Sequence, residues 1–329
     1  MASSKNKPKS SKNARATSRA SFAIASLQHH LNSQSKIIYR PIHEHHSREG
    51  ELHPSSYPFC GLEHAWNIVT NKQREPMDFF GQYYTGLGTF AHELMQRQFG
   101  RGKQILGDWH CLDCGKKKKL TYYSKCKKCG SEKVEYDELL IKFGRHTVGH
   151  VDGVVNLDGK LYVIDYKTSS VKNNNKHRET GNYYPYKHNV AQIKSYCYYL
   201  EEYHGIEIAG WMLIYVSRDH MVNDYVVVGD LVDDEEKKKL AKKFKRYDNT
   251  FHIAEKLKNT EKSADKRMEY FKYLIARKPC ESMKDYKAEF WGGYDIGCPL
   301  AKDGTCFNPT KLKQAIKNKL YGTKVLNQL

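Results

Sequence analysis

Two aspartates and a lysine have the types and spacing best suited to chemistry in this chain. Asp165 and Lys167 close the apolar run that starts at Leu161, and side chains two apart on a strand point to the same face. Turn residues at 156–159 can fold the preceding strand back as a hairpin, which brings Asp152 beside Asp165. Carboxylates suit a hard cation such as Mg2+ or Mn2+, and a nearby lysine can orient a water and help to remove its proton. The three residues therefore predict metal-assisted hydrolysis.

The Asp-x-Lys pattern is not specific by itself, because Asp285-Tyr-Lys287 repeats it. No apolar strand precedes this second copy, so we predict a solvated pair on a helix or loop. The first copy differs in its surroundings. A Gly-x-x-Asp pattern ends upstream at Asp152, and Gln192 and Tyr196 follow downstream, one helical turn apart. The ordered set is much more specific than its short parts.

This order of motifs resembles the PD-(D/E)xK nuclease superfamily, and specifically its RecB-like branch, over residues 55 to 306. That branch carries a Gly-x-x-x-His motif on its first core helix, and Gly88-Thr-Phe-Ala-His92 matches it. The resemblance implies an α/β fold of the restriction-endonuclease type, in which helices flank a mixed central sheet. It implies a site with the metal ligands His92, Asp152 and Asp165, the catalytic Lys167, and the pair Gln192 and Tyr196, which braces the lysine and touches the DNA. The backbone carbonyl of Tyr166 is a further candidate ligand for Mg2+ or Mn2+.

The activity that the resemblance implies is metal-dependent DNA cleavage. Exonuclease action on DNA ends or single strands is common in the related branch, so we expect an end-processing enzyme of replication, recombination or repair. A helicase, a recombinase or a replication protein is a candidate partner. Two alternatives stay open. One is a structure-specific endonuclease, and the other is a nucleic-acid-binding accessory module, which would have no need for Lys167.

Four of the nine cysteines form two Cys-x-x-Cys pairs, each closed by a glycine. Eleven residues separate the pairs, and the four thiolates can hold a tetrahedral Zn2+. The predicted ligands are Cys111, Cys114, Cys126 and Cys129. The pairs lie between His92 and Asp152, so we predict a zinc ribbon over residues 108–132, inserted into the nuclease core. Reduced surface cysteines or redox-active pairs are the alternatives.

The finger of the ribbon is basic and contains Lys116, Lys117, Lys118 and Lys119. With the tyrosines that follow, these lysines can track phosphates and stack on bases, so we predict that they contact DNA. A solvated loop without a ligand and the docking of a protein are the alternatives.

Four other cysteines are dispersed: Cys60, Cys280, Cys298 and Cys306. Their arrangement resembles an iron–sulfur branch of RecB-like nucleases that includes the CRISPR adaptation nucleases, with one cysteine before the core and three after it. The resemblance implies a [4Fe-4S] cluster that ties the chain ends together. A zinc site and four unrelated buried cysteines are the alternatives. The chain departs from the branch because seventeen residues separate Cys280 from Cys298. Cys197 is left over as a free thiol.

The formal charge of +18 attracts a polyanion such as DNA. Residues 1–43 contain eight lysines or arginines and no acid, which leaves +10 for the rest. We predict a disordered basic tail at 1–43, a nuclease core at 44–306, and a basic C-terminal helix or tail at 307–329. A transit peptide would also be basic, although this one is rich in lysine rather than arginine. Without a long apolar stretch or a secretory signal, we expect an intracellular, cytoplasmic protein with no membrane contact.

Hydrophobic periodicity predicts the elements that position the site. The predicted helices are 60–73, 86–99, 188–204, 232–247 and 250–277, and the predicted strands are 137–143, 146–156, 160–167, 209–217 and 223–229. The polar segment from Ser169 to His188 is too long for a tight turn. We predict a loop over the active site that guides DNA, with a plain surface loop as the alternative.

Overall fold

The computed structural model describes residues 50–56, 59–72, 78–101, 103–170, 185–219, 223–260, 263–289 and 298–322. The chain divides into two compact units, Met1–Ser47 with Glu75–Gly86 and Arg48–Arg74 with Leu87–Leu329. In the first unit, the described residues are 78–86, which contain the start of helix Phe79–Arg101. The second unit contains every candidate site residue named above. The predicted loop between Ser169 and His188 lies mostly outside the described residues, as do the tail at 1–43 and residues 323–329.

A mixed seven-stranded sheet forms the centre of the second unit. Its strands are β1 (Ile105–Cys111), β2 (Lys117–Thr121), β3 (Val134–Asp137), β6 (Gly153–Leu157), β7 (Lys160–Ser169), β8 (Gly210–Ser217) and β9 (Asn223–Gly229), and a separate hairpin contains β4 (Leu139–Lys142) and β5 (Val148–Val151). The strand order is β2-β1-β6-β7-β8-β9, with β3 also on β1. Only β7 and β8 pair in parallel among these strands, and helix α3 (Lys187–His204) lies between them in the chain. The fold is the predicted mixed α/β architecture.

Strand β1 belongs to two structures at once. Its first residues, Ile105 and Leu106, pair with Val155 and Val154 of β6 in the central sheet. Its remaining residues pair with β2 on one side and with β3 on the other. Cys111 ends β1, and the other three ribbon cysteines lie in the connections between these strands. The ribbon is therefore a continuation of a sheet strand.

The predicted strand 146–156 is wrong in one respect, because it breaks at Asp152. Residues before the break belong to β5 and pair with β4, whereas residues after it belong to β6 and pair with β7. The hairpin predicted from the turn at 156–159 is confirmed, with Gly153 opposite Ile164. The strand breaks where its hydrogen-bonding partner changes from β4 to β7.

Helices cover the sheet and build a second core. The remaining helices are α1 (Gly61–Val69), α2 (Phe79–Arg101), α4 (Asp234–Asn259), α5 (Ala264–Ile275), α6 (Met283–Glu289), α7 (Pro299–Lys302) and α8 (Pro309–Tyr321). The predicted break between helices at 248–249 is wrong, because α4 runs through it. Tyr247, Phe251 and Ala254 form one continuous buried face of α4, and α5 starts only after the N-cap Ser263. None of the described helices has the length and apolar character needed to cross a lipid bilayer.

Apolar clusters lie on both faces of the sheet because neighbouring residues of β7 point to opposite sides. Val163 packs with Ile193 of α3 on one face, and Ile164 packs with Ile105 on the other. A further cluster joins Leu62 of α1 to Phe271 of α5 and to α8 through Leu312 and Ile316. Burial on both faces explains the continuous apolar run that precedes Asp165.

The loop of the β4–β5 hairpin is tied to helix α4 by Asp248. Its carboxylate accepts hydrogen bonds from the backbone N–H groups of Arg145, His146 and Thr147, at 3.1, 2.6 and 3.0 Å, and from the Thr147 hydroxyl at 3.2 Å. Burial opposes ionisation of this carboxyl, but the donors outweigh it, so the pKa of Asp248 lies below its usual value. The anchor fixes the β4–β5 hairpin, and Asp152 follows directly after the last residue of β5.

Candidate active site and metal centres

Strand β7 presents Asp165 and Lys167 to helix α3. The Nζ atom of Lys167 lies 2.7 Å from Oδ2 of Asp165 and donates to Oε1 of Gln192 at 3.0 Å. Nε2 of Gln192 in turn donates to the Tyr196 hydroxyl at 2.9 Å. The predicted neighbours on strand and helix therefore form one connected chain, which holds the ammonium group in a fixed position.

Close packing at Gly149 explains the glycine of the Gly-x-x-Asp pattern. A Cβ atom there would stand 2.8 Å from a ring carbon of Tyr196, closer than real Cβ contacts come. The Tyr196 ring is almost fully buried, so it has little room to move away. A side chain at position 149 would therefore push away the helix that braces Lys167.

Asp152 lies at the break between β5 and β6, where its carboxylate contacts strand β7 and helix α2. Its Oδ2 accepts a hydrogen bond from the Tyr166 N–H at 2.7 Å, and the same oxygen lies 3.4 Å from Nδ1 of His92. On the other side of the ring, Nε2 of His92 lies 3.0 Å from the Tyr166 carbonyl oxygen. That carbonyl can only accept, so Nε2 is the donor, and in neutral His92 the lone pair of Nδ1 faces the Asp152 carboxylate. Two acceptors that face each other suit a cation between them.

The carboxyl of Asp165 is completely buried, and its Oδ1 has no hydrogen-bond partner among the described residues. Burial raises the pKa of Asp165 to about 6, although the Lys167 ammonium favours the ionised form; the charge of Asp152 raises the pKa further. An unsatisfied buried carboxylate oxygen is costly unless a donor or a cation meets it. The unsatisfied Oδ1 suits a cation, but Asp165 is not part of the group of ligand atoms within 4.8 Å of one another, which comprises His92, Asp152 and Glu138.

Two residues of this region were not predicted from the sequence, Glu138 and Gln96. Glu138 precedes β4, and ligand atoms of His92, Glu138 and Asp152 all lie within 4.8 Å of one another. Burial raises the pKa of Glu138 to about 7, and the charge of Asp152 adds to the effect. Gln96 of helix α2 donates to Oε1 of Glu138 and to the backbone carbonyl of Asp152, both at 3.0 Å. The hairpin pairing described below is the signal that could have found Glu138.

His188 on the first turn of α3 is a further neighbour of Lys167. Burial lowers its pKa to about 4, and the positive charge of Lys167 acts in the same direction. Its ring stacks on Tyr186, with centroids 5.5 Å apart. A neutral imidazole therefore lies beside the ammonium group.

The second Asp-x-Lys pattern has no comparable surroundings. Asp285 is exposed on the short helix α6, where its carboxylate accepts from the Ser282 hydroxyl at 2.8 Å. For this residue the predicted solvated position is confirmed.

The four ribbon cysteines converge on one point. Their sulfur atoms all lie within 4.8 Å of one another, with Cys111 and Cys129 at 3.6 Å and Cys114 and Cys126 at 3.6 Å. Four thiolates bound to one Zn2+ at 2.3 Å are about 3.8 Å apart. Backbone N–H groups of Cys129 and Lys128 lower the pKa of Cys126 to about 6, which favours the thiolate that a metal requires. The donor set therefore fits one tetrahedral ion.

The ribbon lysines differ in their availability. Lys116, Lys117 and Lys119 are exposed, whereas the Nζ atom of Lys118 bonds to the Ser124 hydroxyl at 2.6 Å and to the Lys125 carbonyl at 2.7 Å. An open cleft of about 360 Å³ runs along this finger, lined by Lys116, Lys118, Lys119, Thr121, Ser124, Lys127 and Lys128. The cleft is lined by three of the four predicted lysines, without Lys117, and by two further lysines, Lys127 and Lys128. Lys118 is partly used within the finger, because its Nζ atom bonds to Ser124 and Lys125.

The four dispersed cysteines come together in the helical cluster. Cys280, Cys298 and Cys306 are buried in it, and Cys60 packs against it at the start of α1. Burial raises the pKa of all four thiols, and the charges of Cys298 and Cys306 also raise that of Cys60. Their sulfur atoms do not converge within 4.8 Å as the ribbon sulfurs do. The fold thus gathers cysteines that are up to 246 residues apart in sequence.

The fold and the site together define the class of protein. A family model for the PD-(D/E)XK nuclease superfamily matches residues 55–299, more than half of the chain. The protein therefore belongs to the PD-(D/E)XK nuclease superfamily, whose members are metal-dependent phosphodiesterases. No curated protein matches the sequence.

Proposed function

We propose that this nuclease is a RecB-like deoxyribonuclease that hydrolyses DNA from ends or single strands, with Mg2+ or Mn2+ held by His92, Asp152 and Asp165. The chain of contacts from Asp165 through Lys167 and Gln192 to Tyr196 is the observation that carries the proposal. The buried carboxylate of Asp165 and the amide of Gln192, which in turn bonds to Tyr196, fix the position of one ammonium group. Such preorganisation is typical of a catalytic lysine rather than a surface one.

Each residue of the chain has a distinct task in the proposed reaction. Lys167 donates a hydrogen bond to the water that attacks the phosphorus, while Asp165 and Gln192 keep the Nζ atom aimed at that water. The attacking water gives up a proton to solvent, the P–O bond to the departing sugar oxygen breaks, and that oxygen takes up a proton, which leaves a phosphate monoester and a hydroxyl. The bound divalent cation would stabilise the negative charge on the phosphoryl oxygens. Asp152 also fixes the backbone between the two motif residues through the Tyr166 N–H.

The ribbon is proposed to hold one structural Zn2+ and to guide DNA. The separations of the four sulfurs match a tetrahedral thiolate site, and the basic cleft has the charge to follow a phosphate backbone. Strand β1 links the cleft directly to the sheet that carries Asp165. The ribbon thus supplies affinity for DNA and the core supplies cleavage.

The dispersed cysteines are proposed to ligate a [4Fe-4S] cluster of structural function. The gathering of the four thiols in the helical cluster and the resemblance to iron–sulfur nucleases support the proposal. The four sulfur atoms do not form the group within 4.8 Å that the ribbon sulfurs form, as one Zn2+ would require. Burial among the apolar side chains of α1 and α5 would protect the cluster from solvent.

A second candidate function is DNA binding without cleavage, as an accessory module of a replication or recombination complex with a helicase or recombinase. The basic cleft of the ribbon favours it. The held ammonium of Lys167 argues against it, because binding alone does not need this arrangement.

A time course on end-labelled single-stranded and duplex DNA, with Mg2+ and Mn2+ compared, tests the proposal. Stepwise loss of terminal nucleotides is expected, and internal fragments from a circular single strand would instead identify an endonuclease. Lys167→Ala separates the two candidate functions, since it should abolish cleavage and retain DNA binding. If this variant cuts DNA as fast as the parent, the assigned active site is wrong.

A further inference from the structure

Glu138 faces Asp152 across the β4–β5 hairpin. The register pairs Leu139 with Val151 and Leu140 with His150, and one further step along the same ladder places Glu138 opposite Asp152. Residues directly opposite in an antiparallel pair have Cβ atoms about 5 Å apart. The hairpin therefore brings a second acid to the break where β5 ends.

The carboxylate of Glu138 is held in place by a buried amide. Gln96, which is 8 % exposed, donates to Oε1 of Glu138 and to the backbone carbonyl of Asp152. The other oxygen, Oε2, lies 3.9 Å from Nδ1 of His150, too far for a hydrogen bond. One oxygen is thus fixed by Gln96 and the second remains available to a ligand.

Two carboxylates opposite each other in a strand pair repel, and this pair has little to offset the repulsion. Among the described residues, no lysine or arginine pairs with Glu138 or Asp152; the basic groups nearby are His92 and His150. Lys167 is taken up by Asp165 and Gln192. The arrangement is unfavourable for the protein alone and favourable around a cation.

A second observation points to the same ligand. Oδ1 of Asp165 is buried and has no hydrogen-bond partner among the described residues. The ligand atoms of His92, Glu138 and Asp152 lie within 4.8 Å of one another, which is compatible with the roughly 4 Å between opposite ligands of a Mg2+ or Mn2+ ion.

We propose that Glu138 is a ligand of the divalent cation, so that the centre has the three carboxylates of Glu138, Asp152 and Asp165 in addition to His92. The inference rests on the proposed function, because it concerns the same centre. Three anionic oxygen donors favour a hard cation such as Mg2+ or Mn2+ over softer metals. Gln96 is then a positioning residue that orients both Glu138 and the Asp152 backbone.

Mn2+ binding to the full chain, measured without DNA by electron paramagnetic resonance of free Mn2+, tests this assignment. Glu138→Gln keeps an oxygen for the Gln96 amide but removes the charge, so the Kd for Mn2+ should rise by about tenfold or more. Glu235→Gln is the matched control, since Glu235 is exposed on α4 and pairs with Lys239. The control should bind Mn2+ like the parent.

Thermal unfolding gives a second readout that a purely structural role would not produce. Glu138→Gln should raise the Tm of the protein before Mn2+ is added, because it removes the repulsion with Asp152, and should reduce the further rise on adding Mn2+. An unchanged Kd for Mn2+ in Glu138→Gln overturns the assignment, and so does a parent protein that binds no Mn2+.

Cleavage assays separate this inference from the proposed function. If the parent binds Mn2+ through Glu138 and cuts no DNA, the proposed function fails and the ligand assignment stands. If Glu138→Gln binds Mn2+ and cuts DNA like the parent, the ligand assignment fails and the proposed function stands.

Discussion

The carboxylate of Asp152 accepts a hydrogen bond from the backbone N–H of Tyr166 at 2.7 Å. This bond ties the acid of one strand to the peptide that separates Asp165 from Lys167. The side chain that is proposed to hold the cation therefore also sets the position of Asp165 and Lys167, the pair proposed to act in catalysis. Charge and hydrogen bonding at Asp152 can be separated by mutation.

Asp152→Asn should abolish Mn2+ binding and keep the hydrogen bond, because the amide oxygen can still accept from Tyr166 N. Without Mn2+ it should not destabilise the protein, and it should raise the Tm slightly because it removes the repulsion with Glu138. Asp152→Ala should lose both, and the buried donor left behind should cost about 1–3 kcal/mol in the free energy of unfolding. Urea denaturation with and without Mn2+ measures the two effects. Equal destabilisation by both variants would contradict the bridging role of the carboxylate.

Lys167→Ala should reduce the rate of DNA cleavage by about a hundredfold or more, because the attacking water loses its donor. Mn2+ binding should be retained, since no cation ligand is removed. Single-turnover cleavage with saturating enzyme isolates the chemical step. Lys160→Ala, an exposed position at the start of the same strand, is the control and should cut at the parental rate.

Removal of the ribbon metal should leave the active site intact. Cys114→Ser should lower the zinc content by one ion per chain and weaken DNA binding, while Mn2+ binding is unchanged. Cys197→Ser, which changes a buried thiol of α3 outside both cysteine groups, should keep its zinc. Metal analysis and fluorescence anisotropy with labelled DNA check these outcomes, and full zinc in Cys114→Ser would contradict the four-sulfur site.

The dispersed cysteines should give a brown preparation when the protein is purified without oxygen. Absorbance near 400 nm and about four irons per chain are expected for a [4Fe-4S] cluster. Cys298→Ser should lose the iron and lower the Tm, because the helical cluster around α1 and α5 loses its central tie. A colourless preparation that contains zinc at these cysteines and no iron would refute the iron–sulfur proposal.

Asp248 should make stability depend on pH in the acid range. Its pKa is depressed in the folded chain, so its contribution to the free energy of unfolding is present above the unfolded value of about 4 and is lost as the pH falls through the folded value. Asp248→Asn should cost about 1–2 kcal/mol at neutral pH and flatten the decline in stability. Urea denaturation at several pH values measures how the free energy of unfolding changes with pH in the parent and in Asp248→Asn. The same pH dependence in both proteins would contradict the anchoring role of Asp248.

Much of the active site could be predicted because it depends on local geometry. Asp165 and Lys167 are two apart on one strand, and the turn at 156–159 brings the neighbouring strand back within reach. Gln192 and Tyr196 are one helical turn apart, so a single predicted helix carries both. For these residues the local period of strand or helix is enough to predict which side chains are neighbours.

Other features depend on tertiary pairing that a local pattern does not contain. The sequence from 146 to 156 is consistent with one strand. In the structure, however, the residues before Asp152 pair with β4 and the residues after it pair with β7. Glu138 is fourteen residues from Asp152, and only the register of the hairpin brings the two together. Likewise, helix α4 continues past 248–249 because Phe251 and Ala254 pack in the folded chain.

Strand β1 gives the ribbon and the sheet a common backbone. Ile105 and Leu106 are locked to β6, and a few residues later the same strand contributes Cys111 to the sulfur site. The ribbon therefore cannot swing on a hinge at this junction without breaking the ladder at the edge of the sheet. DNA bound in the basic cleft would therefore lie at a fixed distance from the cation centre. The length of DNA between the binding cleft and the cleavage site would thus be set by the single β-strand β1.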